Sequence, residues 1–205
     1  GEKISKEKMS FVKKELLKKN PTLFENYEKK KKREDGENES YICSLIRQDL
    51  VEEFISHVNR YNISLLSSIS PSIFETNQFL NEHNEISLIE YLAFFGAFQI
   101  FQYLVMNKVE LTSSLWLYVI HSKNPELIHL LESYKVKPPH NSKSKEDYIQ
   151  CFIECIKCHH NDIADYIENS YFFNQETNTK EEIISNCIKY CNYAYFEINS
   201  IISHG

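Results

Sequence analysis

The chain has 205 residues, 42% of them apolar, with 23 Lys and Arg against 29 Asp and Glu, for a net charge of −6. That length can bury one well-formed core or two small ones, while no apolar run approaches the roughly 18 residues of a membrane-spanning helix. Only four glycines occur, at positions 1, 36, 96 and 205, which disfavours phosphate-cradling loops and tight hairpins, since both need positive φ or close backbone approach.

Residues 3–19 predict a charged helix with Met9, Val12 and Leu16 on one face. Asn20-Pro21 restarts a second helix, with Leu23, Phe24 and Tyr27 as its apolar set. It runs into the one basic run of the chain, "KKKKR" (29–33). The plainest reading of that run is a solvated helix end or loop; a nuclear signal or nucleic-acid patch is the other. Residues 1–35 carry a net charge of +5 and residues 36–205 a net −11. Polyanion binding needs clustered cations, so no nucleic-acid partner is expected for the acidic part. Residues 1–36 are predicted as an N-terminal helical cap, because the end layer of a stack needs a polar outer face. "EDGENES" (34–40) is the best linker candidate. Residues 63–86 form a long connection, within which 70–80 predicts a helix with Ser70 as cap and Pro71 at its first position.

Residues 86–111, "ISLIEYLAFFGAFQIFQYLVMNKVEL", and 113–138, "SSLWLYVIHSKNPELIHLLESYKVKP", share one pattern. An offset of 27 sets Ile100 on Leu127, Leu104 on Leu131 and Val109 on Val136. A further 36 sets Trp116 on Phe152 and Leu127 on Ile163, and a further 32 sets Cys155 on Cys187. Upstream, "SYICSLIRQDLVEEFI" (40–55) fits at about 50, with Phe54 and Ile55 over Leu104 and Val105. Within a unit the apolar spacing is helical: Ile89, Leu92, Ala93 and Gly96, then Ile100, Phe101, Leu104 and Val105. The break between the two stripes is short enough to force an antiparallel helix pair. Asn124-Pro125-Glu126 fits a helix start, with Asn124 as cap. One such pair cannot bury both stripes, so neighbours must stack. Residues 37–205 are therefore expected to be a repeat domain of about five helix pairs.

The string "SLIEYLAFFGAFQIFQYLVMNKVEL" resembles the ankyrin repeat, with Ser87, Ile89, Ala93, Gly96, Ile100, Phe101, Leu104 and Val105 where that pattern wants them. Residues 40–196 also look like the divergent ankyrin-like proteins of unknown function expanded in parasitic protists. The resemblance implies an all-α, ankyrin-like solenoid that binds a protein partner through the concave face of its first helices. Glu90 and Leu88 depart from the usual His and Pro, Lys123 and His159 stand where Gly ends the first helix, and Lys108 and Lys135 where Gly follows the second. Carried over position by position, the binding face is Glu90, Tyr91, Phe94 and Phe95 in one layer, Leu117, Tyr118 and His121 in the next, and Ile153, Glu154 and Lys157 in the third. Exposed aromatics ringed by charge suit a binding hot spot, and an acidic surface suits a basic protein partner. The alternative leaves those rings half-buried between layers.

Cysteine placement bears on chemistry. With no secretory pattern at the N-terminus, Cys43, Cys151, Cys155, Cys158, Cys187 and Cys191 are expected to be reduced thiols of a cytoplasmic protein. Cys151, Cys155 and Cys158 share a helical face and His159 and His160 follow, so zinc ligands are available. Core packing explains Cys155 and Cys187 better, since both align with small core positions; no metal and no cofactor are expected. Cys158 and His159 are neighbours along a helix and point apart, so they form no catalytic dyad, and Glu52-Glu53 and Glu181-Glu182 read as solvated helix charges. Three readings result: a non-catalytic interaction module; a structural or regulatory module docking on further ankyrin repeats of a longer chain; and, more distantly, a metal or redox sensor built on residues 151–160.

Overall fold

The computed structural model describes residues 21–83, 85–139, 148–172 and 178–195. The helix predicted over 3–19 lies outside them, as do the side chains of Leu23, Phe24 and Tyr27. Among the described residues the secondary structure is helical, with no strand; one antiparallel bridge joins Ser68 and Ser87. The chain divides into two compact units: residues 1–43 with 70–85, and residues 44–69 with 86–205.

In the first unit, α1 (Pro21–Asp35) ends in the basic run. Lys29, Lys30, Lys31 and Arg33 are exposed and Lys32 is half-buried, its ammonium 5.7 Å from the Phe74 ring. The linker candidate is tied down rather than free. Gly36 has φ +65°, and its carbonyl accepts hydrogen bonds from the Thr76 N–H at 3.0 Å and hydroxyl at 2.9 Å. Asn38 is buried, donating from Nδ2 to the Ser70 carbonyl at 2.9 Å while its Oδ1 accepts from the Ser40 N–H at 3.0 Å. The helix expected over 70–80 is not there: residues 71–77 are irregular, with one turn at Ile73 and Phe74, and the helix is α4, Gln78–Glu82, capped by Asn77. Side chains have taken over the backbone donors. Ser72 Oγ accepts from the Phe74 N–H at 3.0 Å and Glu75 Oε1 from the Asn77 N–H at 2.9 Å, local bonds that compete with a helix.

The second unit is a succession of helix pairs. Residues 44–47 of α2 (Tyr41–Arg47) precede α3 (Val51–Tyr61). Then come α5 (Leu88–Phe95) with α6 (Phe98–Met106), α7 (Leu115–Ser122) with α8 (Pro125–Ser133), and α9 (Ile149–Cys158) with α10 (Asn161–Ile167). A π-helical turn (Glu168–Phe172) and α11 (Asn178–Lys189) follow. Each first helix packs on the next, α5 on α7, α7 on α9 and α9 on α11. Ile100, Leu127 and Ile163 each stand third in α6, α8 and α10, and all three are buried. The core continues through Phe54, Leu92, Phe101, Leu104, Trp116, Val119, Leu131, Phe152, Cys155 and Cys187, all fully buried. The Trp116 indole N–H donates to the Val136 carbonyl at 2.8 Å.

One turn recurs between the paired helices. Asp49, Gly96, Lys123, His159 and Cys191 all have φ between +50° and +70°. At four of the five the helix closes by the same two bonds: the left-handed residue donates three residues back and its successor five back, as in Gly96 N–H to Ala93 O and Ala97 N–H to Leu92 O. Only glycine suits that backbone without strain, and Gly96 is also tight, since a Cβ there would lie 3.3 Å from Ser122 Cβ. The turns give the register directly. Asp49 meets Gly96 at an offset of 47, so Phe54 pairs with the equally buried Phe101 rather than with Leu104.

Candidate functional site

The first-helix face assembles from α5, α7 and α9. Glu90 is its N-terminal edge. Ser87 caps α5, and the Glu90 carboxylate reaches back to it, Oε2 accepting from the Ser87 N–H at 2.9 Å and hydroxyl at 2.7 Å. The other oxygen accepts from Ser114 Oγ at 2.7 Å in the next layer. Glu90 is thus held within the structure, linking two layers, rather than offered to a partner.

Three aromatic residues expected on this face, Tyr91, Phe94 and Tyr118, are interior. Tyr91 and Tyr118 are 1% and 2% exposed, and Phe94 is 9% exposed. The Arg47 guanidinium donates to the Tyr91 hydroxyl at 3.1 Å and lies 5.9 Å from the Phe95 ring. Burial, with the Glu90 charge behind it, raises the Tyr118 hydroxyl well above the usual tyrosine range. The reason is the layer spacing: a helix contacting neighbours on both sides has little outer surface, and large rings fill the space between layers. Phe95, Leu117, His121, Ile153 and Lys157 remain partly exposed.

Phe94 stacks on the His121 imidazole, ring centres 5.1 Å apart and planes 28° apart. His121 Nε2 lies 2.9 Å from Glu154 Oε1, and Cys158 Sγ approaches the imidazole at 3.5 Å from Nδ1 and 3.7 Å from Nε2. Glu154 Oε1 is 3.9 Å from Cys158 Sγ and 3.3 Å from Lys157 Nζ. Burial would raise the Glu154 pKa, but the His121 hydrogen bond and the Lys157 charge together hold it below the usual carboxylate range. Burial, with the Glu154 charge second, pushes the Cys158 thiol up to about 12. At neutral pH the thiol is a poor nucleophile.

The cysteines therefore divide. Cys151, Cys155 and Cys187 are fully buried core residues, as packing predicts for Cys155 and Cys187. Cys158, the last residue of α9, faces His121 across the α7–α9 contact. His159 is exposed, its Nε2 3.2 Å from the Tyr190 carbonyl, and His160 is buried, its Nδ1 2.8 Å from the Ile120 carbonyl. The cysteines and histidines of residues 151–160 do not converge on one site. Of the expected binding residues the structure brings His121, Glu154 and Lys157 together, with Cys158 beside them. The i, i+4 spacing of Glu154 and Cys158 was legible; their meeting with His121 required the layer contact.

A second set went unread in the sequence. Asn124 Nδ2 donates to the Gly96 carbonyl at 3.3 Å, His160 Nδ1 lies 2.8 Å from the Ile120 carbonyl, and Asn192 Nδ2 donates to the Ile156 carbonyl at 3.0 Å. All three follow the left-handed turn residue, and each reaches a carbonyl near the end of the preceding layer's first helix. They bolt layer to layer. Comparison of the chain with protein-family models, with characterised proteins and with solved structures finds no match.

Proposed function

We propose that the chain is a non-catalytic protein-interaction module with an ankyrin-like solenoid of stacked helix pairs, which binds a basic partner along the outer edge of its first-helix face. The observation that carries the reading is the set of partly exposed side chains Phe95, Leu117, His121, Ile153 and Lys157 on the three first helices α5, α7 and α9. The recurring left-handed turns and the repeated inter-layer bonds of Asn124, His160 and Asn192 support a repeat architecture. Such a set offers apolar contact and charge together, as interfaces do.

The test begins with capture of a partner from native cells and its identification by mass spectrometry. Leu117→Arg and Ile153→Arg then place like charge against a basic partner. Association should be lost while Tm stays within about 4 °C of wild type. A partner that binds both variants as tightly as the wild type refutes the face. The reading as a module docking on further repeats of a longer chain draws on Ile184, Ile188 and Tyr193, which are 39%, 59% and 55% exposed at the last described layer. A chain extended by further repeats should cover them, measured as slowed hydrogen exchange of α11.

A further inference from the structure

We propose that His121, Glu154 and Cys158 form a metal site that takes one zinc ion. The proposal goes beyond the interaction reading and does not depend on it. The three donors come from two helices, α7 and α9, and their ligating atoms lie within 4.8 Å of one another. A tetrahedral zinc with Zn–S about 2.3 Å and Zn–N and Zn–O about 2.0–2.2 Å sets ligand separations of about 3.4 Å for N···O and about 3.6 Å for S···N and S···O. The corresponding separations here are 2.9 Å, 3.7 Å and 3.9 Å. The three separations each differ from the tetrahedral values by about half an ångström or less, and Cys158 Sγ, 3.5 Å from Nδ1, must turn toward the Nε2 side for an ion to enter.

Chemistry favours zinc over the harder cations. A thiolate and an imidazole suit zinc, whereas calcium and magnesium take oxygen. Charge favours it too. A thiolate, a carboxylate, a neutral imidazole and Zn²⁺ sum to zero, which suits a site where His121 and Glu154 side chains are each 13% exposed. On binding, the Cys158 S–H bond breaks, its proton passes to the solvent and its electron pair forms the Zn–S bond. The ion replaces the Lys157 ammonium as the counter-charge of Glu154, and Lys157, half-exposed, swings into water. Phe94, stacked on the imidazole, restricts the plane of the ring. Three protein donors leave the fourth position to water.

The test uses the full chain, stripped of metal and held in a non-thiol reductant, and titrated with Co²⁺ and then Zn²⁺. The expected result is one ion per chain, a thiolate-to-cobalt charge-transfer band, and displacement of cobalt by zinc. Cys158→Ser should abolish the band, and Cys158→Ser, His121→Ala and Glu154→Gln should each weaken zinc about tenfold or more. Cys191→Ser, which alters an exposed cysteine, should change nothing. Glu154→Gln keeps shape and volume, so it carries the test if Cys158→Ser fails to fold. No binding at micromolar zinc, binding indifferent to all three ligand variants, or binding lost with Cys191→Ser overturns the site. Partner capture in zinc-free buffer reads the interaction separately.

Discussion

Tyr91 is buried, and its hydroxyl accepts a hydrogen bond from Arg47. Truncating such a ring leaves a void that a close-packed interior cannot refill. Tyr91→Ala and Tyr118→Ala should each cost about 3 kcal/mol or more in urea unfolding. A loss under about 0.5 kcal/mol, the scale of surface changes, would mean that the rings are not core. Glu132 makes a different prediction. Burial would raise its pKa, but hydrogen bonds from Tyr171 and Tyr166, with His129 beside them, outweigh it and hold the carboxyl below the usual glutamate value. The folded pKa is thus lower than the unfolded one. The contribution is fully present above about pH 4.5 and is lost as pH falls through the folded value. Glu132→Gln should therefore narrow its stability deficit against wild type as pH drops from 6 to 3 (about three decades in proton activity), followed by thermal unfolding. A deficit that stays constant across the range would remove the carboxylate from the account.

Helix ends carry the next level. Lys108 and Lys135 are exposed and sit at φ +62° and +55°, each donating to a carbonyl three residues back while the next residue donates five back. A Cβ in that conformation costs about 1 kcal/mol, and glycine removes it at some cost in unfolded-chain entropy. Lys108→Gly and Lys135→Gly should each stabilise by about 0.5 kcal/mol, while the corresponding alanines, which keep the Cβ, should not; equal effects from glycine and alanine in thermal melts would argue against backbone strain. Some of these ends were legible in sequence. Asn124-Pro125 starts α8 as its residue types dictate, Asn124 Oδ1 accepting from the Glu126 N–H at 3.0 Å. The equivalence of Ile100, Leu127 and Ile163 followed from apolar spacing alone. Two readings failed for identifiable reasons. The 40–55 segment was aligned three residues out because apolar likeness ignored the turn, and Asp49 does not announce a left-handed residue as glycine does. The helix over 70–80 was lost to Ser72 and Glu75, whose side chains bond the nearby backbone in a way that spacing does not reveal. The His121, Glu154 and Cys158 meeting depends on helices 33 to 37 residues apart, a distance no local pattern spans.

Within the second unit each first helix touches the next, and the polar bonds of Glu90, Asn124, His160 and Asn192 join adjacent helix pairs. Charge is distributed on the same large scale. Residues 36–205 hold a net −11 against +5 for residues 1–35. A partner approaching the acidic part feels the summed field before it feels any side chain, because field falls off over a Debye length of about 10 Å at 0.1 M salt. A basic partner should therefore associate faster than a neutral one, and the association rate should fall several-fold or more as salt rises from about 0.1 M to 1 M, where the Debye length is about 3 Å. The dissociation rate should change much less, since the apolar contacts proposed at Leu117 and Ile153 would not be screened. Stopped-flow or surface-based kinetics over that salt range separates the two rates. An association rate indifferent to salt would exclude a basic partner on this surface, and it would leave the apolar contacts to be judged by the Leu117→Arg and Ile153→Arg variants alone.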